Sequence, residues 1–228
     1  MLVAIPAALG AEQLQAVRAR LDAAGDAWVD GRVSAGYQGA PVKVNQQVDE
    51  RSDVAAECQA IVLGALERHP LFISAVLPNE VYPPMFNRYG EGMSFGAHVD
   101  GSVRIHPRSG RKLRTDVSAT LFLSDPRDYD GGELVVHDAY GSHRATRAAG
   151  DLVVYPATSL HEVTPVTRGE RVACFFWIQS LVRDDAQRGL LFELDTAIQR
   201  LNRSGADDEA RRSLVGVYHN LMRQWSET

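Results

Sequence analysis

His98, Asp100, His161 and Arg171 are the residues whose types and spacing point to chemistry. His98-Val99-Asp100 reads as β-strand, and side chains two residues apart on a strand point to the same face. An imidazole and a carboxylate so placed can reach one metal ion, and His161, in a second strand-like run, supplies a third donor. Two imidazoles and one carboxylate on one face of an octahedral ion leave three positions open for a chelating co-substrate and O2, the arrangement of non-haem Fe(II) oxygenation. Arg171 opens the most apolar strand-like run of the chain. A buried guanidinium is costly unless an anion neutralises it, and its planar fork grips a carboxylate at two points. A dicarboxylate co-substrate explains such an arginine; an ordinary salt bridge to Glu170, Glu133 or Asp151 also would.

Taken alone, the His-x-Asp pair carries little weight. With 7 histidines and 29 acidic residues in 228, roughly one His-x-Asp/Glu arises from composition. Its surroundings say more. Tyr82 to Gly92 is an aromatic, extended segment closed by a Gly-x-Gly turn. Beyond the pair, short apolar runs alternate with turn signals: 118–123, then a turn at Asp130-Gly131-Gly132, 132–137, a turn at 139–142, and 152–155 ended by Pro156. Leu160 to Val166 carries His161, a turn at 167–170 follows, and Arg171 to Ile178 completes the series. This pattern predicts an all-β sandwich or double-sheet barrel.

These segments resemble the Fe(II)/2-oxoglutarate-dependent dioxygenases, and among them the bacterial PKHD-type hydroxylases. The resemblance rests on Asn87-Arg88-Tyr89-Gly90-Glu91-Gly92-Met93 with His98-Val99-Asp100, on Arg114 to Ser124, and on Tyr129-Asp130-Gly131-Gly132-Glu133-Leu134. It continues through Gly150 to Pro156, Leu160 to Gly169 and Phe176-Trp177-Ile178-Gln179-Ser180. The resemblance implies an α+β protein: a double-stranded β-helix, or jelly-roll, core with supporting N-terminal helices and an appended C-terminal helical pair. It implies His98, Asp100 and His161 as catalytic iron ligands and Arg171 as the 2-oxoglutarate anchor. It also implies Tyr155 as a candidate for a second co-substrate contact, with Thr120 and Asn87 as weaker candidates behind it. It further implies hydroxylation of a C–H bond in a small-molecule or peptide substrate, with release of succinate and CO2. L-ascorbate, which returns the iron to its ferrous state, and a link to iron acquisition complete the implication.

The triad alone leaves two other readings open: a non-catalytic iron- or 2-oxoglutarate-sensing barrel, and a zinc hydrolase with three protein ligands and one free position. Neither needs a buried dicarboxylate clamp, so Arg171 favours the oxygenase. His69, His106, His137, His143 and His219 have no second ligand at coordinating spacing, and isolated histidines are usually structural or solvated.

Composition fits a water-soluble globular chain: 45% hydrophobic, 23% charged. No apolar run approaches about twenty residues, and no basic start with a cleavage site precedes the first helix, so a cytoplasmic protein without a membrane partner is expected. A net charge of −5 argues against nucleic acid. The exception is the basic run 104–114, expected as a loop beside the site, either solvated or steering an anionic substrate. Cys58 and Cys174 lack metal-type spacing and read as reduced core residues.

Three segments are expected: 1–77, helical support packed on the core; 78–180, the dioxygenase jelly-roll; and 181–228, a C-terminal helical domain. In the first, Leu14, Val17 and Leu21 mark one helix, and Ser52-Asp53 caps another that runs to Arg68 with Ile61, Val62, Ala65 and Leu66 inward, stopped by Pro70. Gly31 to Gly39 reads as loop and Val42 to Val48 as one half-exposed strand. In the third, Asp184 to Leu201 and Asp207 to Trp225 are helices separated by Ser204-Gly205, their apolar stripe serving core packing or a homo-oligomer interface.

Overall fold

The apolar run at the end of the barrel forms the longest strand, Arg171–Ser180, at the centre of the larger of the two main antiparallel sheets. The computed structural model describes residues 1–37, 39–107, 109–205 and 208–227. The larger sheet runs in the order Val3–Ile5, Leu152–Pro156, Val117–Phe122, Arg171–Ser180, Met85–Tyr89, Gln46–Val48, Trp28–Asp30, with Pro78–Val81 pairing the far half of the central strand. The smaller sheet runs Gly141–Ala145, Leu134–Asp138, Leu160–Val163, Ser94–His98, Lys43–Val44. Two facing antiparallel sheets over a shared interior make the jelly-roll.

Alternation along the central strand divides two duties. Val172, Cys174, Phe176 and Ile178 join the main apolar cluster under helices α1 (Ala11–Asp22), α2 (Asp53–Leu66) and α3 (Pro70–Val76). Val17, Leu21, Cys58, Val62, Leu66 and Phe72 meet them from the helices. Each such buried side chain contributes about 1.5–3 kcal/mol. The opposite parity, including Arg171, Phe175 and Trp177, faces the space between the sheets. A sheet anchored by its outer face can therefore hold costly polar groups on its inner one. Both cysteines are free and buried, and burial raises both thiols.

Several segments depart from the sequence-based expectation. Pro70 ends one helix and also begins the next: it occupies the first turn of α3, where a missing N–H costs nothing, and His69 Nδ1 accepts from Phe72 N at 3.3 Å. Residues 42–48 form two strands, because the chain changes sheet at Asn45; Lys43 pairs with Phe95, whereas Gln46 and Gln47 pair with Arg88 and Asn87. The expected 160–166 strand stops at Val163, ahead of Pro165, and Val166–Gly169 then pairs with Tyr129–Gly131 where a turn was expected. The first third supplies strands to both sheets as well as helices. The basic run is a small hairpin, Val103–Ile105 with Lys112–Arg114, rather than open loop. Arg108 in that run, and Asp207 before the last helix, lie outside the described residues.

The C-terminal helices are α4 (Asp185–Ser204) and α5 (Asp208–Trp225). Asp184 caps the first, and Gly205 closes it in the left-handed conformation at φ 66°. They dock through Leu191, Tyr218, Leu221, Met222 and Trp225 onto Leu77 and Val182. No helix among the described residues is long and apolar enough to cross a membrane.

Gly132 couples the fold to the site. Its φ is 60°, and an added Cβ would stand 2.9 Å from both Arg171 Cδ and Val166 Cγ2. Gly132→Ala should lower stability by about 1–3 kcal/mol in chemical denaturation; an unchanged midpoint would contradict this packing.

Candidate metal centre and carboxylate clamp

His98 ends one strand of the smaller sheet, and His161 is its direct cross-strand partner. Partners in this position lie about 4.5–5.5 Å apart at Cα, which brings the two imidazoles together; their ring centroids are 4.3 Å apart. Asp100 lies two residues past His98, just beyond the strand end rather than within it, and still turns its carboxylate to the same point. One ligand atom from each of the three falls within 4.8 Å of the others. His98 Nε2 stands 3.9 Å from Asp100 Oδ1, and His161 Nε2 stands 3.7 Å from Oδ2. These separations are too long for hydrogen bonds and short enough for a shared ion.

The surroundings orient each donor. His98 Nδ1 lies 2.8 Å from the Gly96 carbonyl and His161 Nδ1 3.0 Å from that of Ser159. A carbonyl only accepts, so Nδ1 carries the proton and Nε2 presents its lone pair to the centre. Phe95 stacks on His98 at 3.6 Å, and burial, then His161, push the His98 imidazole well below its usual range, which keeps it neutral and able to ligate. Ser118 Oγ donates to Asp100 Oδ2 at 2.5 Å and fixes the carboxylate. Tyr155 sets its ring edge on His161 at 5.0 Å; burial, then Asp100, raise its phenol, so it remains a neutral donor.

Between the sheets lies a cavity of about 390 Å³ lined by the triad, Tyr155, Thr120, Asn87, Lys43, Arg104 and Arg171. Ligand pockets typically span about 300–1,000 Å³. Arg171 is 1% exposed, flanked by the rings of Tyr89 at 5.5 Å and Phe122 at 5.3 Å, and its Nε and Nη2 have no hydrogen-bond partner. The three carboxylates named above as salt-bridge partners are engaged elsewhere. Glu133 pairs with Arg144 at 2.6 Å, Glu170 with Arg88 at 3.8 Å, and Asp151 accepts from Ala7 N at 2.9 Å. The buried Tyr129 hydroxyl lies beside Arg171, whose charge acts on it directly. These orphaned donors describe a socket for an anion.

The remaining histidines have other partners. His143 binds Asp138, His137 binds Ser142, His69 caps α3, His106 accepts from Ser109 N, and His219 lies against Tyr218. Among the described residues, the triad is the one group of three or more His, Cys, Asp or Glu placed to hold a metal. Lys43, Ser118 and Tyr129 are residues of the cavity region that the sequence reading did not identify, and Arg104 was noted only as part of the basic run 104–114 beside the site. Polar Ser118 and Thr120, alternating within an apolar run, were a usable signal for an inward polar face; nothing in the sequence marked Lys43.

A family model for the 2OG-Fe(II) oxygenase superfamily matches residues 84–179, and one for the PKHD-type hydroxylase C-terminal domain matches 185–227. A PKHD-type hydroxylase of Cupriavidus pinatubonensis is 75% identical over 228 residues, covering 100% of both chains. The chain belongs to the PKHD-type hydroxylases. A PKHD-type hydroxylase of Caulobacter vibrioides is still 57% identical over the full length of both. Among solved structures, a Pseudomonas putida prolyl-4-hydroxylase aligns with a TM-score of 0.52 at 23% identity over 78% of this chain and 92% of its own. The carbocyclase SnoK from nogalamycin biosynthesis aligns at 0.55 and 15% identity, over 79% and 80%. These two likenesses show the fold.

Family membership makes this PKHD-type chain a 2-oxoglutarate-dependent dioxygenase and hydroxylase, and implies Fe(II) and 2-oxoglutarate. The sensor and zinc-hydrolase readings are thereby set aside. The residues fit both groups: the triad offers two neutral nitrogens and a carboxylate to a dication, and Arg171 offers unpaired donors to a carboxylate. Ser118→Ala, which removes the hydrogen bond that holds Asp100, should weaken divalent-metal affinity about 10–100-fold in a direct titration; unaltered affinity would show that Asp100 is held by other means.

Proposed function

We propose that His98, Asp100 and His161 hold Fe(II), that Arg171 grips the far carboxylate of 2-oxoglutarate, and that Tyr155 adds a second contact to that co-substrate. The observation that carries this reading is the pairing of a preformed two-histidine, one-carboxylate group with a buried, uncompensated guanidinium in one cavity. When bound, Fe(II) supplies the O2 chemistry that couples decarboxylation of 2-oxoglutarate to succinate and CO2 with hydroxylation of a substrate C–H bond. The protein's part is positional. Gly96 and Ser159 carbonyls aim the imidazoles, Ser118 aims the carboxylate, and Arg171 orients the co-substrate. The neutral Tyr155 phenol donates without adding charge, and the Phe95 and Tyr89 rings pack against His98 and Arg171 and hold them in place.

The same reading takes the substrate to be a small molecule or peptide side chain, and L-ascorbate to restore ferrous iron after uncoupled turnover. This reading also takes the protein to be cytoplasmic. The iron-acquisition link rests on the resemblance alone. Of the three-segment division, the boundary near residue 180 is supported by two family models that end and begin on either side of it. Homo-oligomer formation through α4 and α5 would use the exposed Leu190 and Val217.

Anaerobic Fe(II) with 2-oxoglutarate should give a visible charge-transfer band in the wild type, and His161→Ala and Asp100→Ala should lose both the band and 2-oxoglutarate-dependent succinate release while keeping a native near-UV signature. Full succinate release in either variant would overturn the ligand assignment.

A further inference from the structure

Lys43 is 3% exposed, yet its ammonium donates to one hydroxyl, Ser34 Oγ at 3.0 Å, and otherwise faces the rings of Phe95 and Phe175 at 5.0 and 5.5 Å. Arg104 begins the basic run noted in the sequence. Its guanidinium lies over Trp177 at 4.4 Å and Tyr82 at 5.3 Å, close enough to act on the Tyr82 hydroxyl, and it donates to the Ser34 carbonyl at 3.4 Å and Met85 Sδ at 3.9 Å. Both side chains line the cavity. Among the described residues, neither forms an ion pair with a carboxylate, and Asp100, Glu50 and Asp30 act on Lys43 only at longer range. Burial, then Arg104, hold the Lys43 amine down at about 8. Two neighbouring cations in a largely apolar wall are unfavourable by themselves and gain most from an anion between them.

Their place in the cavity separates them from the co-substrate socket. Arg171, Phe175 and Trp177 share one face of one strand. At about 3.3 Å per residue, Phe175 lies about 13 Å and Trp177 about 20 Å along it from Arg171. Lys43 over Phe175 and Arg104 over Trp177 therefore occupy the end remote from Arg171. They also border the metal group, since Trp177 pairs across the sheet with Ser118, which holds Asp100. Val99 and Val103, both about half exposed, line the mouth at this end.

We propose that Lys43 and Arg104 form the substrate's recognition site and take an anionic group of the molecule to be hydroxylated, a carboxylate or a phosphate, with Phe175 and Trp177 against its carbon skeleton. The substrate class is thus an anion with an apolar body that presents a C–H bond to the triad. This rests on the reading that 2-oxoglutarate occupies the Arg171 end. Arg104 over Trp177 also gives the site its own optical reporter.

The test uses the full-length protein with Fe(II) and saturating 2-oxoglutarate under anaerobic conditions. Tryptophan fluorescence is followed while hexanoate, hexyl phosphate or hexanamide is added. At least one anion should bind saturably and about tenfold or more tightly than the amide, the better one identifying carboxylate or phosphate. Lys43→Met and Arg104→Met should each erase that preference about tenfold, Lys43→Arg should retain it, and the 2-oxoglutarate midpoint of the visible band should stay within about twofold in all three. Equal binding of anions and amide, an unaltered preference in both Met variants, or a tenfold shift of the 2-oxoglutarate midpoint would each overturn the proposal. Absence of the band in the wild type would instead defeat the oxygenase site assignment, and the fluorescence titration would still report on the cation pair.

Discussion

A guanidinium with two unpaired nitrogens, walled in by aromatic rings, is a liability to the fold until an anion reaches it. Arg171 sits on the central strand of the larger sheet, so its cost is carried by the most strongly packed part of the molecule. An exposed arginine would be satisfied by water and would select nothing. A buried arginine with an acidic neighbour would be satisfied by the protein. Here Glu133, Glu170 and Asp151 all have other engagements, which leaves the fork for a ligand.

The metal group depends on a different sheet and on simpler geometry. Cross-strand pairing alone sets His98 opposite His161, and Asp100 needs only the short turn beyond the strand end to join them. On the proposed reading the two sheets contribute separately to one cavity: the smaller would carry the two histidine donors, and the larger the carboxylate socket together with Ser118, which reaches across to Asp100. The helices on the outer face take no part in the chemistry, yet their apolar contacts keep the larger sheet rigid enough to hold charge on its inner side.

Much of this was legible in the residues because short apolar, β-rich runs bounded by turn signals survive folding. The runs 118–123, 152–155 and 171–178 identified three strands that now lie side by side in the larger sheet, and the apolar stripes of α4 and α5 identified the C-terminal pair. What alternation cannot encode is a change of sheet. Residues 42–48 keep their period through Asn45 while moving from one layer to the other, so Lys43 looked like one half-exposed position among several and proved to be a buried cation in the cavity wall. Local signals also mislead where one residue serves two elements. Pro70 reads as a stop and is equally a start, and Gly169 reads as a turn although its φ of 73° ends a paired strand whose carbonyl neighbour, Asp128, leaves no room for a Cβ.

The central claim is that the buried fork of Arg171 is completed by the far carboxylate of the co-substrate. Calorimetric titration of the protein loaded with a redox-inert divalent ion measures it directly, comparing 2-oxoglutarate with 2-oxopentanoate, which keeps the metal-chelating end and lacks the second carboxylate. Charge-assisted hydrogen bonds contribute about 1.5–3 kcal/mol each, so two of them predict a loss of about 100-fold or more for 2-oxopentanoate in the wild type and nearly equal, weak binding of both in Arg171→Met. Equal affinity for the two acids in the wild type, or a full preference retained by Arg171→Met, would contradict the account.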